Sequence, residues 1–298
     1  AESVGAANAS GSHRAARRAR AAVDDARELL AEIIGVEPGW IVFTSGGTES
    51  DNLAVLGRSA AANGSVVCSS VEHPAVLEAV ESLDRGATFG TDQRCLADLD
   101  DLGRLLGQDD VSLVSIMAVN NEVGAVQPVA EVAALVRQLA PGAAIHTDAV
   151  QALNWIDLRS IAPHVDMLSL SAHKFGGPQG VGLCAVRPSV ALARRQLGGG
   201  QERDRRSGTL NVPGILAMAA AAEEADAERD AQSARLGVLR DDLLDRIIGR
   251  LSGVVQTGAC GDGSHIAAGF AHPCTAGVDS EALLFLLDEA GGYPSAAS

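Results

Sequence analysis

The chain has 298 residues, 47% of them hydrophobic and 20% charged, and a formal net charge of −15. That length holds one large domain or two ordinary ones with a substantial core. The acidic balance works against nonspecific binding to nucleic acid or anionic membranes, and no run approaches the roughly 18 consecutive apolar residues of a membrane span.

No basic segment followed by an apolar one opens the chain, so a secreted product is not expected. Cys68, Cys95, Cys184, Cys260 and Cys274 are widely spaced with no Cys-x-x-Cys, which fits a reducing cytoplasm without disulfides or a zinc site. Cys68 and Cys184 lie in apolar, strand-like runs and read as core. The other three sit in loop-like surroundings.

Taken in order, residues 1–12 are small and polar and read as loop. Apolar residues at helical spacing predict a helix over 15–34, stopped by Gly35; the basic cluster between Arg14 and Arg20 reads as its solvated surface. A short strand at 41–44 ends at Ser45-Gly46-Gly47, and a helix follows over 48–61. Next come a strand at 65–70, a helix at 74–83, a helix at 98–106, a strand at 111–117, a helix at 129–139 and a strand at 144–147. Strands at 165–170 and 181–186 complete this part. Strands alternating with helices of this length imply βαβ units and a mostly parallel sheet with flanking helices. Residues 217–250 read as one long helix broken near Ala231, followed by a strand at 264–271 and a helix at 279–290. A boundary near residue 228 divides a large domain, 1–228, from a smaller α+β domain, 229–298.

Lys174 is the only lysine; the other 22 of the 23 basic residues are arginine. Of the two, only the lysine amine can lose its proton near neutral pH and form a Schiff base with an aldehyde. It follows the apolar run 165–170, so it is expected at a strand's C-terminal end, the edge where open α/β sheets bind ligands. The alternative is a solvated surface lysine, against which stand the neighbouring Ser171, His173, Gly176 and Gly177.

Four further stretches fall on loops after strands. In Thr44-Ser45-Gly46-Gly47-Thr48-Glu49-Ser50-Asp51-Asn52, two glycines before a helix let backbone N–H groups reach an anion such as phosphate; the plain alternative is a tight turn with a capped helix. In Val71-Glu72-His73-Pro74, His73 is either a helix cap or an imidazole stacked on a flat ring and moving protons. Asn120-Asn121 suits a turn, and equally a hydrogen bond to a ring substituent. In His146-Thr147-Asp148-Ala149-Val150-Gln151, Asp148 is either an N-cap or a partner for a pyridinium nitrogen that turns the ring into an electron sink. The stretch from Gly198 through Arg203, with Arg206-Ser207-Gly208-Thr209, supplies hydroxyl and guanidinium groups suited to phosphate or carboxylate, or is a solvated loop crossing a subunit boundary.

These stretches together resemble the cysteine desulfurases, pyridoxal-phosphate enzymes of the class V aminotransferase group, over nearly the whole chain. The resemblance implies the fold type I architecture of PLP-dependent, aspartate aminotransferase-like transferases. It implies that Lys174 holds the cofactor and then carries a proton, and that His73 stacks on the ring and assists protonation. Asp148 would pair with the ring nitrogen, while Gln151 and Asn121 would contact the ring oxygen and the substrate side. Gly47, Thr48, Ser171 and His173 would bind the phosphate, joined by Thr209 from the partner subunit of a homodimer. The reaction implied takes sulfur from L-cysteine, leaves L-alanine and places a persulfide on an enzyme cysteine. From there the sulfur passes to an acceptor or scaffold protein in the cytoplasm, for iron–sulfur clusters or thiolated cofactors.

The chain departs from the family pattern at both ends. The family's opening strand and Asn-Ala-Ala-Thr-Thr-type segment are not seen, and none of the five cysteines occupies the nucleophile's place after the Ser/Gly/Ala-rich loop that begins at Ser295. The arginine used for the substrate carboxylate lies further on in the family. A trimmed chain is the expectation, because the motifs present are intact; as it stands it is expected to bind cofactor without completing sulfur transfer. The competing readings are selenocysteine lysis or another class V reaction, and a non-catalytic scaffold subunit.

Overall fold

A computed structural model describes residues 8–108, 110–258 and 265–295. At its centre is a seven-stranded sheet: β1 (Ile41–Thr44), β2 (Ser65–Ser69), β3 (Gly86–Phe89), β4 (Val111–Ser115), β5 (Ala144–Asp148), β6 (Met167–Ser171) and β7 (Gly182–Val186), in the order β1-β7-β6-β5-β4-β2-β3. The pairs β3–β2, β2–β4, β4–β5 and β5–β6 are parallel; β7 runs antiparallel to both β6 and β1. The sheet is thus mostly parallel, with helices on both faces, as the alternating pattern implies.

Strand side chains alternate between the two faces. Phe43, Val67, Val114, Ile145 and Leu168 enter one core with α1 (Arg14–Ile34), α4 (Leu99–Gln108), α5 (Val129–Leu139) and the first half of α6 (Val212–Arg250). Their neighbours Val42, Val66, Leu113, Ala144 and Met167 enter the other, with α2 (Gly47–Ala61) and α3 (Pro74–Glu81). Cys68 and Cys184 are buried in this second core, as their apolar runs suggest. Because both faces are covered, these strands read as continuous apolar runs. On α1, Arg14, Arg17, Arg18 and Arg20 face solvent while Ala16, Ala19, Val23 and Leu30 are buried. His13 caps its start by accepting from the Ala16 N–H, and Gly35 at φ 85° ends it.

Three expectations need correction. The short edge strand β3 carries only Gly86, Ala87, Thr88 and Phe89, too little periodic signal to read. The helix α6 is continuous over 39 residues, with no break at Ala231. Alanine and charged helix formers fill that region, and Arg229 bonds Asp226 at 2.6 Å one turn back. Finally, residues 265–271 do not form a strand. Ile266 makes a single bridge to Ala125, and Phe270 packs edge-to-face on Trp155 with ring centroids 6.0 Å apart. Gly124, at φ +72°, and Gly269 are tucked so closely against the Phe270 and Trp155 side chains that a Cβ at either would collide. The apolar residues of this segment are used to clasp the loop after β4. The small antiparallel pair is instead β8 (Val254–Gln256) with β9 (Pro273–Thr275), followed by α7 (Ser280–Glu289). Cys274 lies exposed on β9; Cys260 falls outside the described residues. No helix among the described residues is long and apolar enough to cross a membrane.

Candidate active site

The parallel strands end side by side, and the turns after them surround a cavity of about 370 Å³. Its wall includes Gly47, Thr48, His73, Asn121, Asp148, Gln151, Ser171, His173 and Lys174, every residue given a cofactor role by the resemblance except Thr209. Asp51, Met117, Val119, Val150 and Ser295 line it as well.

The approach of α2 depends on glycine. A Cβ on Gly47 would lie 2.8 Å from Val150 Cγ2, and one on Gly182 would lie 2.7 Å from Gly46 Cα. Among the described residues no side chain caps α2, so the first N–H groups of that helix, with the positive end of its dipole, remain available at the cavity wall beside Thr48. Ser171 and His173 stand next to them, hydrogen-bonded to each other through Ser171 Oγ and His173 Nδ1 at 2.9 Å. Burial, and then the Lys174 charge, lower the pKa of His173.

The helix-cap reading of His73 holds. As the N-cap of α3 its Nδ1 accepts from the Ala75 N–H at 3.1 Å, which orients the ring, while the side chain lines the cavity. Asn120 is the turn-former of its pair: Oδ1 accepts from the N–H groups of Glu122 and Val123, and Nδ2 donates to the Val71 carbonyl. That leaves Asn121 at the cavity wall. Asp148 ends β5 and is buried; its Oδ1 accepts from the Val150 N–H at 2.9 Å. Burial raises its carboxyl above the usual carboxylate range, and the Val150 N–H, His73 and Lys174 pull in the other direction. Lys174 lies in a single 3₁₀ turn, Ala172–Phe175, directly after β6, and its carbonyl accepts from Asn154 Nδ2 at 2.8 Å.

The stretch after Gly198 is engaged elsewhere. Glu202 makes a buried ion pair with Arg27 at 2.7 Å and accepts from the Phe43 N–H at 2.8 Å. Arg206 pairs with Glu49 at 2.7 Å, and Arg205 donates to the Val186 carbonyl. Glu202, Arg203 and Asp204 all hold positive φ, a strained run kept in place by these bonds. Thr209 is exposed, and among the described residues nothing from 198–210 lines the cavity.

The donor set suits a flat heteroaromatic aldehyde with a phosphate tail. The helix terminus, Thr48, Ser171 and His173 match a dianion, the Lys174 amine matches an aldehyde, and a buried carboxyl that lacks a full cationic partner matches a ring nitrogen. Groups that sequence reading left without a role also crowd here: Asp51, buried on α2; Glu72, whose Oε1 accepts from the Met117 N–H at 2.6 Å; and fully buried His146. Only the spacing of Asp51, one helical turn after Thr48, hints at its position.

Comparison with known proteins points the same way. The family model described as Aminotransferase class-V matches residues 2–292. The IscS-like cysteine desulfurase of Mycobacterium tuberculosis is 40% identical over 296 residues, covering 95% of this chain and 74% of that protein. A solved NifS-like protein superposes with a TM-score of 0.91 at 33% identity, over 98% of this chain and 80% of the other. SspA, solved in complex with cysteine, superposes with a TM-score of 0.81 at 29% identity, over 100% of this chain and 83% of its own. With the match running through the whole sheet and every turn around the cavity, the chain belongs to the class-V aminotransferase family.

Proposed function

We infer that the chain is the cofactor-binding body of a cysteine desulfurase, which takes sulfur from L-cysteine with the help of pyridoxal 5′-phosphate and leaves L-alanine. The observation that carries this reading is the convergence of the lone lysine, a buried carboxyl and an uncapped helix N-terminus on one cavity. Desulfurase relatives at about 40% identity support it.

When bound, pyridoxal phosphate supplies an electron sink for the substrate's Cα. The chain's own residues supply the rest. The N–H groups at the start of α2, with Gly47, Thr48, Ser171 and His173, hold the phosphate. Lys174 would hold the cofactor through its aldehyde, and its amine would then carry a proton to and from the substrate carbon. Asp148 holds a proton on the ring nitrogen. His73 would face the ring; its Nδ1 is occupied by the Ala75 N–H, so Nε2 would be the nitrogen that moves a proton. Asn121 and Gln151 orient the ring oxygen and substrate side. The sulfur would pass to a cysteine thiolate as a persulfide.

The working unit we propose is a homodimer in which Thr209 of the partner subunit completes the phosphate site, with residues 1–228 as the large domain and 229–298 as the small one. A sulfur-acceptor or scaffold protein in the cytoplasm receives the sulfur. The test is to load the full chain with pyridoxal phosphate, reduce it with borohydride and map the adduct. Attachment at Lys174 is expected; an adduct elsewhere, or none, overturns the assignment.

A further inference from the structure

Three acidic side chains from different elements converge under the cavity: Asp51 on α2, Glu72 after β2 and Asp148 at the end of β5. Asp51 feels the charges of Asp148 and Glu72, and Glu72 feels that of Asp148. Among the described residues, Asp51 Oδ1 and Glu72 Oε2 are buried without a hydrogen-bond partner, and Asp51 is part of the cavity wall. The Lys174 charge acts on Asp148. We propose that Asp51 is a positioning residue that stands as the uncharged acid beside Asp148, so that Asp148 alone presents a carboxylate to the ring nitrogen. Its link to the cofactor rests on the desulfurase reading; the protonation of Asp51 does not.

The groups around Asp51 leave no other way to neutralise it. From β5 comes His146, whose Nε2 lies 3.7 Å from Asp51 Oδ1, beyond a hydrogen bond. Its ring is held between Ser115 Oγ at 2.8 Å and Ser169 Oγ at 3.0 Å, and burial lowers its pKa to about 3, so it brings no charge. From β6, Ser169, whose hydroxyl bonds His146 Nε2, pulls the Asp51 carboxyl down. From β7 comes the Cys184 thiol, raised to about 12 by burial and by Asp51; on β2 the Cys68 thiol is raised by burial and by Glu72. Two carboxylates packed this closely in a buried site do not both ionise. Asp148 has the Val150 N–H and Lys174 to stabilise its charge, while Asp51 Oδ1 has no hydrogen-bond partner among the described residues. Burial first, and then the Asp148 and Glu72 charges, hold Asp51 well above the usual carboxylate range.

Protonation of Asp51 also sets the direction of the chain behind it. With Asp51 as the acid, its O–H donates to Ser169 Oγ, Ser169 donates to His146 Nε2, and His146 Nδ1–H donates to Ser115 Oγ. With Asp51 as a carboxylate, every donor reverses and His146 carries its proton on Nε2.

Two measurements on the full chain, with and without pyridoxal phosphate, test this. The nitrogen-15 spectrum of His146 near pH 7.5, assigned with His146→Asn, should show Nδ1–H; Nε2–H overturns the proposal and needs no variant of Asp51. Infrared spectra at about pH 8 should show an undissociated carboxyl that disappears in Asp51→Asn and persists in Glu72→Gln; no such band, or one untouched by Asp51→Asn, overturns it. The folded protein holds a proton on Asp51 that the unfolded chain releases above about pH 4, so native stability drains away as pH rises from there. Asp51→Asn, which cannot ionise, should gain on the parent by about 3 °C or more in midpoint between about pH 5 and 8. A variant that is less stable by a constant amount at every pH contradicts it. Since none of these readouts needs turnover, failure here is separable from failure of the desulfurase assignment.

Discussion

The turns around the cavity and the stretch from Gly198 to Arg206 are alike in composition, both glycine-rich with polar and charged side chains, yet they use those groups in opposite ways. At the cavity, the α2 terminus, His73 Nε2, Asp148 and Lys174 keep bonding capacity for something outside the chain. After Gly198, Glu202 closes on Arg27 and the Phe43 N–H, Arg206 closes on Glu49, and the Arg27 guanidinium also stacks over the Phe43 ring at 4.6 Å. One region is built to bind and the other to hold α1, β1 and α2 in register. A glycine-rich, charged motif therefore does not by itself announce a ligand site; what matters is whether its polar atoms already have partners.

That contrast can be broken experimentally. The largest effect is expected at Lys174: Lys174→Ala should remove the visible absorbance of bound cofactor and the borohydride-fixed adduct, with the thermal midpoint of the cofactor-free chain unmoved. Retained yellow colour on the purified variant would contradict the anchor role. Glu202→Ala should do the reverse, destabilising the fold by about 3–5 kcal/mol because Arg27 is left buried without its partner, as read by denaturant unfolding. A loss below about 1 kcal/mol would mean that the stretch is not the clasp described. For Asp148→Asn, cofactor binding should survive while exchange of the L-cysteine Cα hydrogen with solvent slows about a hundredfold, read by nuclear magnetic resonance in deuterated water; a parental rate would remove Asp148 from the ring nitrogen. Smallest is Thr209→Ala. Its exposed side chain should leave cofactor-free stability within about 0.5 kcal/mol, and weaken pyridoxal phosphate about fivefold if it reaches the partner's site. Unchanged affinity would return Thr209 to the solvated surface.

Much of the fold is legible in local sequence. The strand at 41–44 and the helix at 129–139 match β1 and α5 residue for residue, because Gly, Pro and polar clusters bracket them. The cavity wall is legible too, since each of its turns follows an apolar strand and carries a residue type with distinctive chemistry. Less could be read from the C-terminal part. Residues 265–271 are as apolar as a strand needs, but Trp155 and Gly124 claim them from far away in the chain. The three-residue strands β8 and β9 are too short to leave a period, and the continuity of α6 past Ala231 rests on pairs such as Arg229 with Asp226 that no single residue announces.

By itself the sequence determined the order of strands and helices, the position of the lone amine, and the types of group that follow each strand, because hydrophobic period and turn chemistry act over a few residues. Only the tertiary structure decided which of those groups stay unpartnered. Arg27 meets Glu202 across 175 residues, and His146 meets Ser115 and Ser169 across 31 and 23. Burial and mutual charge, which set the protonation of Asp51, Glu72 and Asp148, exist only once the sheet has brought them together.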